Sequence, residues 1–409
     1  MIKTLLLIAC TFCLVSASAV PEDAFLNFTE IMDAHGYPYE SHQIETDDGY
    51  LLTYFRMQAK YQNITSGKPV FLLMHGLSDS GDSWIYNYEN NSLAYVLANK
   101  GFDVWIANSR GNKFSNTHKT LNPKADASYW DFSWQEMGEY DLPAAFEYIA
   151  KKTGQKINYV GHSQGTIQMF AALADQNPTV LRHLRKFAAL GPVAYLNNMR
   201  STLSRLLLES PLIPLGQSLG LTSMFEYNKI SSTIGAYVCT YFPIKCKLQT
   251  YLTNSDDLDY DNIERYAVHQ GHYPAGTSFR NLAHWRQIKI SGKFQKYDHG
   301  TQENLKKYGQ ETPPEYSLEK ATGDIMLFVT TADKTANVED AQLLFDQLKK
   351  SKSTVKIGYY PGGHVTFIMG KELYFLNDLM KFFEYEREEY HCTDGSFSCD
   401  GSNAGHSIY

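Results

Sequence analysis

Beyond its first twenty residues the 409-residue chain has no apolar run long enough to cross a bilayer, because a spanning helix needs roughly 20 consecutive apolar residues. No transmembrane segment is expected downstream of the N-terminus. Basic charge is also short: Lys and Arg total 37 against 44 Asp and Glu, a net charge of -7. That removes the electrostatic footprint of a nucleic-acid binder, which needs a basic face for phosphates. Cysteine is scarce, with 6 in the whole chain. Cys392, Cys399, His391 and His406 lie near one another but match no common zinc spacing. Asp257-Leu258-Asp259-Tyr260-Asp261 begins like a calcium loop. Asn262, however, stands where an EF-hand needs Gly, and Val268 where it needs Glu, so a solvated acidic turn is expected there. Neither a metal nor an organic cofactor is signalled.

What is present begins with the N-terminus. Lys3, the apolar stretch Leu5 to Val15 and the small residues Ala17-Ser18-Ala19 form a secretory signal, expected to be removed after residue 19. Three acceptor sequons agree with that route, at Asn27, Asn63 and Asn90. Cys10 and Cys13 leave with the signal. The remaining four fall in two close pairs, Cys239 with Cys246 and Cys392 with Cys399. In an oxidising compartment two local disulfides are the simplest reading. Aromatics reach 14% with 29 Tyr, which suits either a large core or an apolar binding surface.

Periodicity divides the mature chain. Ser41 to Thr46 and Tyr50 to Met57 flank Asp47-Asp48-Gly49, a hairpin signal. Val70 to Met74 and Phe102 to Ala107 are short continuous apolar runs that suit strands buried on both faces. Ser92 to Asn99 and Tyr140 to Lys151 read as helices. Ile157 to Val160 and Phe187 to Leu190 read as strands around a helix from Thr166 to Ala174. This alternation predicts an α/β fold with a mostly parallel central sheet and helices on both faces. The rhythm stops after Val193 and resumes with Ile325 to Thr330, a helix from Val338 to Lys350, a strand from Val355 to Tyr360 and a last helix over about 372–385. Residues 20–193 and 322–389 are therefore assigned to the core, 194–321 to an inserted cap and 390–409 to a Cys-containing tail. Within the cap, Leu203 to Phe225 is apolar but broken by Pro211, Pro214, Gly216 and Gly220. It packs on the core or turns an apolar face outward.

The chemistry gathers at strand ends, where open α/β sheets bind ligands. Gly161-His162-Ser163-Gln164-Gly165 follows a strand and precedes a helix, the context of a nucleophile elbow. A serine hydroxyl needs a base, and the base needs an orienting carboxylate. Asp333 and His364 each sit just past a strand end, and Ser163, Asp333, His364 is the chain order of an α/β hydrolase. Asp324 and Asp340 lie close enough to compete with Asp333 for the carboxylate role. The oxyanion is expected to meet the backbone amides of Gln164, at a helix N-terminus, and of Leu77, after His75-Gly76. His75 and His162 receive no proton-transfer role, and Arg110 is read as a tie between loops.

These stretches resemble the acid lipase family of animal gastric and lysosomal lipases. The likeness is carried by Gly36-Tyr37-Pro38, Thr46-Asp47-Asp48-Gly49-Tyr50, His75-Gly76-Leu77, Asn108-Ser109-Arg110-Gly111-Asn112, Tyr140-Asp141-Leu142-Pro143-Ala144, the elbow, Pro274-Ala275-Gly276-Thr277-Ser278, His284-Trp285 and Ser291-Gly292-Lys293-Phe294-Gln295. It implies the Ser163–Asp333–His364 triad, the Leu77 and Gln164 oxyanion hole, a cap with a mobile lid at about 226–255, and an acidic pH optimum. The chain departs from the family where Val365-Thr366-Phe367 replaces Leu-Asp-Phe after the histidine. Its Cys239–Cys246 spacing is shorter, and the tail has no counterpart.

The function expected is hydrolysis of lipid carboxylic esters at a lipid–water interface, in the secretory pathway, extracellular or lysosomal. Triacylglycerol leads and cholesteryl ester follows. The alternatives are a carboxylesterase for small soluble esters and a non-catalytic lipid-binding protein on the same scaffold. Oligomeric state is not readable.

Overall fold

A computed structural model describes residues 19–385. The signal segment through residue 18 and the Cys392–Cys399 pair lie outside the described residues.

Eight strands form the main path of one sheet: β1 (Tyr39–Glu45), β2 (Tyr50–Met57), β3 (Val70–Met74), β4 (Asp103–Ile106), β6 (Ile157–His162), β7 (Leu184–Leu190), β10 (Asp324–Thr330) and β11 (Thr354–Tyr360). The short β5 (Thr117–His118) pairs with β2, and the order is β1-β2-β4-β3-β6-β7-β10-β11. β2 runs antiparallel to β1, β4 and β5, and the remaining pairs are parallel. The expected mostly parallel sheet is the observed one. Alternate residues of β3 show why its sequence is apolar throughout: Leu72 and Met74 join the core on one face, Phe71 and Leu73 that on the other. A strand covered on both faces has no solvated side on which to place polar residues.

The elements differ from the sequence expectation at their ends. A π-turn, Met137–Asp141, precedes the helix Leu142–Thr153. It brings the Asp141 carboxylate to Arg110, whose Nε donates to it over 2.8 Å. The last helix is shorter than expected, Leu376–Phe382. Backbone before it is engaged elsewhere, with the Lys371 amide donating to the Tyr260 carbonyl over 2.8 Å.

Residues 194–321 leave the sheet and return to it. They contain helices Thr202–Glu209, Leu212–Ser218, Lys229–Tyr241, Pro243–Thr253, Tyr266–His272, Phe279–Ser291 and Thr301–Tyr308. One small antiparallel pair joins β8 (Ser223–Met224) to β9 (Thr277–Ser278). Cys239 and Cys246 form a disulfide between consecutive helices, with their Cα atoms 5.6 Å apart. The acidic turn needs a correction. Asp261 is fully buried rather than solvated. It accepts hydrogen bonds from Thr366 Oγ1 at 2.6 Å and the Tyr266 hydroxyl at 2.7 Å.

Candidate active site

The elbow is set by backbone geometry. Ser163 has φ 53° and ψ -115°, an unfavourable conformation for a residue with a side chain, of the kind that persists where surrounding structure imposes it. Gly161 and Gly165 permit the turn. A Cβ on Gly161 would stand 2.6 Å from the Gly165 carbonyl oxygen, and one on Gly165 would stand 2.6 Å from that of Met74. The strand thus turns into the helix Gln164–Ala174 with Ser163 at the junction.

His364 follows β11, and Asp333 follows β10. His364 Nε2 lies 2.8 Å from Ser163 Oγ, and its Nδ1 lies 2.7 Å from Asp333 Oδ2. The other Asp333 oxygen, Oδ1, accepts from the amides of Thr335 at 2.7 Å and Ala336 at 2.8 Å. All three residues are buried. The competing carboxylates go elsewhere: Asp324 lies 3.7 Å from Lys186, and Asp340 accepts from the amide and side chain of Asn198. This chain of contacts lets a proton pass from Oγ to an imidazole whose orientation a carboxylate fixes.

Among the described residues the Leu77 and Gln164 amides donate no hydrogen bond. The Gln164 side chain is held aside, its Oε1 accepting from Asn281 Nδ2 at 2.7 Å and Trp285 Nε1 at 2.9 Å. A cavity of about 420 Å³ includes Leu77, Ser163 and His364 in its lining. Much of the remaining wall is apolar, with Met199, Leu203, Leu207 and Leu282.

A match to the alpha/beta hydrolase fold family covers residues 69–371, and one to a partial alpha/beta-hydrolase lipase region covers residues 28–88. The chain is 36% identical to gastric triacylglycerol lipase of Mus musculus, over 85% of this chain and 88% of the relative. The chain belongs to the acid lipase family. It is also 36% identical to lysosomal acid lipase/cholesteryl ester hydrolase of Homo sapiens, over 81% and 84% of the two chains. A monoglyceride lipase structure from Saccharomyces cerevisiae matches at a TM-score of 0.52, 14% identity, 86% of this chain and 96% of that one; this likeness concerns the fold alone.

Two histidines beside the triad of this family member, His162 and His75, are committed to structure. His162 Nε2 lies 2.9 Å from the His364 carbonyl oxygen. His75 contacts the Gly76 carbonyl at 2.8 Å and accepts from the Ser109 amide at 3.0 Å. Burial, first of all, lowers both, His75 to about 4 and His162 to about 3. Arg110 is buried and pairs with Asp48 and Asp141, tying the β1–β2 turn to the π-turn. Two further contributors carried no sequence signal. Asn254 offers its carbonyl to the amides of Lys334 at 3.2 Å and His364 at 3.3 Å, and Ser255 bridges to Asp333. A stretch between β7 and β10 thereby joins the loops that carry Asp333 and His364, and no local pattern encodes such a crossing.

Proposed function

We propose that the chain hydrolyses carboxylic esters of lipids through an acyl-enzyme, with triacylglycerol as the leading substrate and cholesteryl ester second. Ser163 Oγ attacks the ester carbonyl while His364 Nε2 takes its proton. Asp333 holds the imidazole and stabilises the cation that forms. The amides of Leu77 and Gln164 receive the oxyanion. His364 then returns the proton to the departing alkoxide, and water repeats the sequence on the acyl-enzyme. The reading rests above all on the hydrogen-bonded series from Ser163 through His364 to Asp333 beside a largely apolar cavity.

A lipid surface, rather than a dissolved ester, is favoured by the outer face of residues 203–251. Leu206 is 64% exposed, Leu219 71%, Ile230 72% and Ile244 70%. Large apolar side chains exposed in this number along one stretch suit a place where another apolar phase is met. We assign residues 194–321 as the cap and about 226–255 as its mobile lid. Delivery through the secretory pathway fits the N-terminal signal. Asn27, Asn63 and Asn90 are all exposed, as carriers of N-linked glycans must be, and the Asn27 side chain caps the helix Phe28–His35 through Oδ1.

The test is release of fatty acid from emulsified trioleoylglycerol and from a short nitrophenyl ester by wild type and Ser163→Ala. Wild type should hydrolyse both, and the variant should lose at least about 10³-fold on each. Equal, slow rates for the two proteins would end the enzymatic reading.

A further inference from the structure

Lys334 directly follows Asp333 in the chain, yet its side chain is buried rather than solvated. An ammonium removed from water needs acceptors and a counter-charge. It finds both on the segment between β7 and β10. Its Nζ donates to the Tyr251 carbonyl at 2.5 Å and lies 2.7 Å from Asp256 Oδ1. It also stands over the Tyr251 ring, 3.7 Å from the centroid. Tyr251 belongs to the last turn of the helix Pro243–Thr253. Carbonyls there have no partner within the helix, and the helix dipole is negative at that end. With the ammonium drawn away, Asp333 keeps its own partners, His364 on Oδ2 and the amides of Thr335 and Ala336 on Oδ1.

The Lys334 backbone extends the tie in two directions. Its amide and that of His364 donate to the same Asn254 carbonyl, one residue past the helix. Its own carbonyl accepts from the amides of Arg200 at 2.7 Å and Ser201 at 3.0 Å. Ser201 is the cap residue of the helix Thr202–Glu209. Adjacent groups reinforce the junction. Thr335 Oγ1 donates to the Thr253 carbonyl at 3.3 Å, and the Asp256 amide donates to the Ala332 carbonyl at 3.0 Å. Burial along the helix follows these ties, since Ile244 near its start is 70% exposed and Ser255 just beyond its end is buried. Thr253, Asn254, Thr335 and His364 line the cavity beside Ser163, and Lys334 is not among the lining residues. Its influence on the reaction therefore passes through its neighbours.

We propose that Lys334 is a positioning residue, holding Asp333 and His364 in register against the end of the helix Pro243–Thr253. The proposal rests on the Ser163 reading for the reaction it serves. It also makes residues 251–256 the fixed end about which the lid turns. His364 acts in both formation and hydrolysis of the acyl-enzyme, so a misplaced acid–base pair slows both steps. A shift of about 1 Å at such a site can lower a rate on the order of a hundredfold.

Lys334→Met keeps most of the side-chain length and removes the charge. On dissolved nitrophenyl butyrate its kcat should fall about tenfold with KM within about twofold, because both chemical steps slow together. Lys334→Arg, which keeps the charge, should recover most of that loss. In Lys334→Met, hydrogen exchange should quicken about tenfold at the amides of Lys334, Asp256 and His364 and stay unchanged in the strand Val70–Met74. An unchanged kcat overturns the proposal. So does a loss of activity with faster exchange throughout the chain, the mark of a purely structural lysine. Asp256→Ala, at the half-exposed partner, should show the same local pattern with a kcat loss of about two- to threefold. It supplies the answer if Lys334→Met does not fold, and a wild-type kcat there then overturns the proposal. Hydrolysis by wild type with no loss in either variant strikes the role of Lys334 alone. Absence of hydrolysis by wild type strikes the Ser163 reading, and the positioning role with it.

Discussion

The inserted segment carries two kinds of helix. Between Tyr266 and Tyr297 this segment is fastened to the rest of the chain by buried groups. His284 stacks on Trp134 at 3.9 Å and meets Ser133 Oγ at 2.9 Å and the Gln295 carbonyl at 3.0 Å. Asn281 accepts from the Trp134 amide at 2.8 Å, and Gln135 accepts from that of Tyr297 at 2.8 Å. Between Leu203 and Tyr251 much of the apolar side-chain surface faces outward. Both stretches are rich in large apolar residues, so composition does not distinguish them. The presence of buried polar partners does. A polar atom removed from water must find a specific neighbour, and that requirement fixes the first stretch to the core. The second has few such ties and is free to serve another surface.

The sharpest way to break this contrast is Trp285→Ala. Trp285 is buried and its indole donates to Gln164. Its removal leaves a cavity and withdraws one of two donors that hold the Gln164 side chain. Stability should fall by about 3–5 kcal/mol in urea denaturation, and kcat should drop as well. A change under about 1 kcal/mol would mean that the pinned half is not pinned.

Asp261 tests the junction between that half and the His364 loop. Burial raises its carboxyl from 3.8 to about 6 despite donors from Thr366 and Tyr266. A raised folded-state value contributes stability that is complete below about 3.8 and is lost as pH rises through about 6. Asp261→Asn lacks this titration. From pH 4 to pH 7 the variant should therefore gain on wild type by up to about 3 kcal/mol, at about 1.4 kcal/mol per pKa unit. Urea midpoints at the two pH values measure it, and a constant difference or one of opposite sign would refute the assignment.

The same contrast explains what could be read from the sequence. The sheet was legible because covered strands such as Val70–Met74 leave no polar position, and the elbow because Gly161 and Gly165 have no room for a Cβ. Ser163, Asp333 and His364 were legible because each follows a strand whose end the apolar runs reveal. Ties across distant segments were not. Asp261 sits in an acidic stretch that looks solvated, and its partner Thr366 lies 105 positions away. The π-turn at Met137–Asp141 likewise answers to Arg110 rather than to a local pattern. The cavity beside Ser163 joins Asp79 to residues near 270, a proximity that only the folded chain creates.

The smallest expected effect on stability is the most informative about the outer half. Leu219, Ile230 and Ile244 are each 70% exposed or more, so replacing all three with Ser removes little buried area. Each change should alter stability by no more than about 0.5 kcal/mol. Their effect on lipid contact should be larger, because transfer of one such side chain from water to an apolar phase contributes roughly 1.5–3 kcal/mol when complete. Even partial insertion of three should lower the rate on emulsified trioleoylglycerol, relative to dissolved nitrophenyl butyrate, on the order of tenfold. A loss of several kcal/mol in stability would show that these side chains belong to the core after all. An unchanged emulsion-to-solution ratio would instead remove this face from interfacial docking and return the soluble-ester reading to the front.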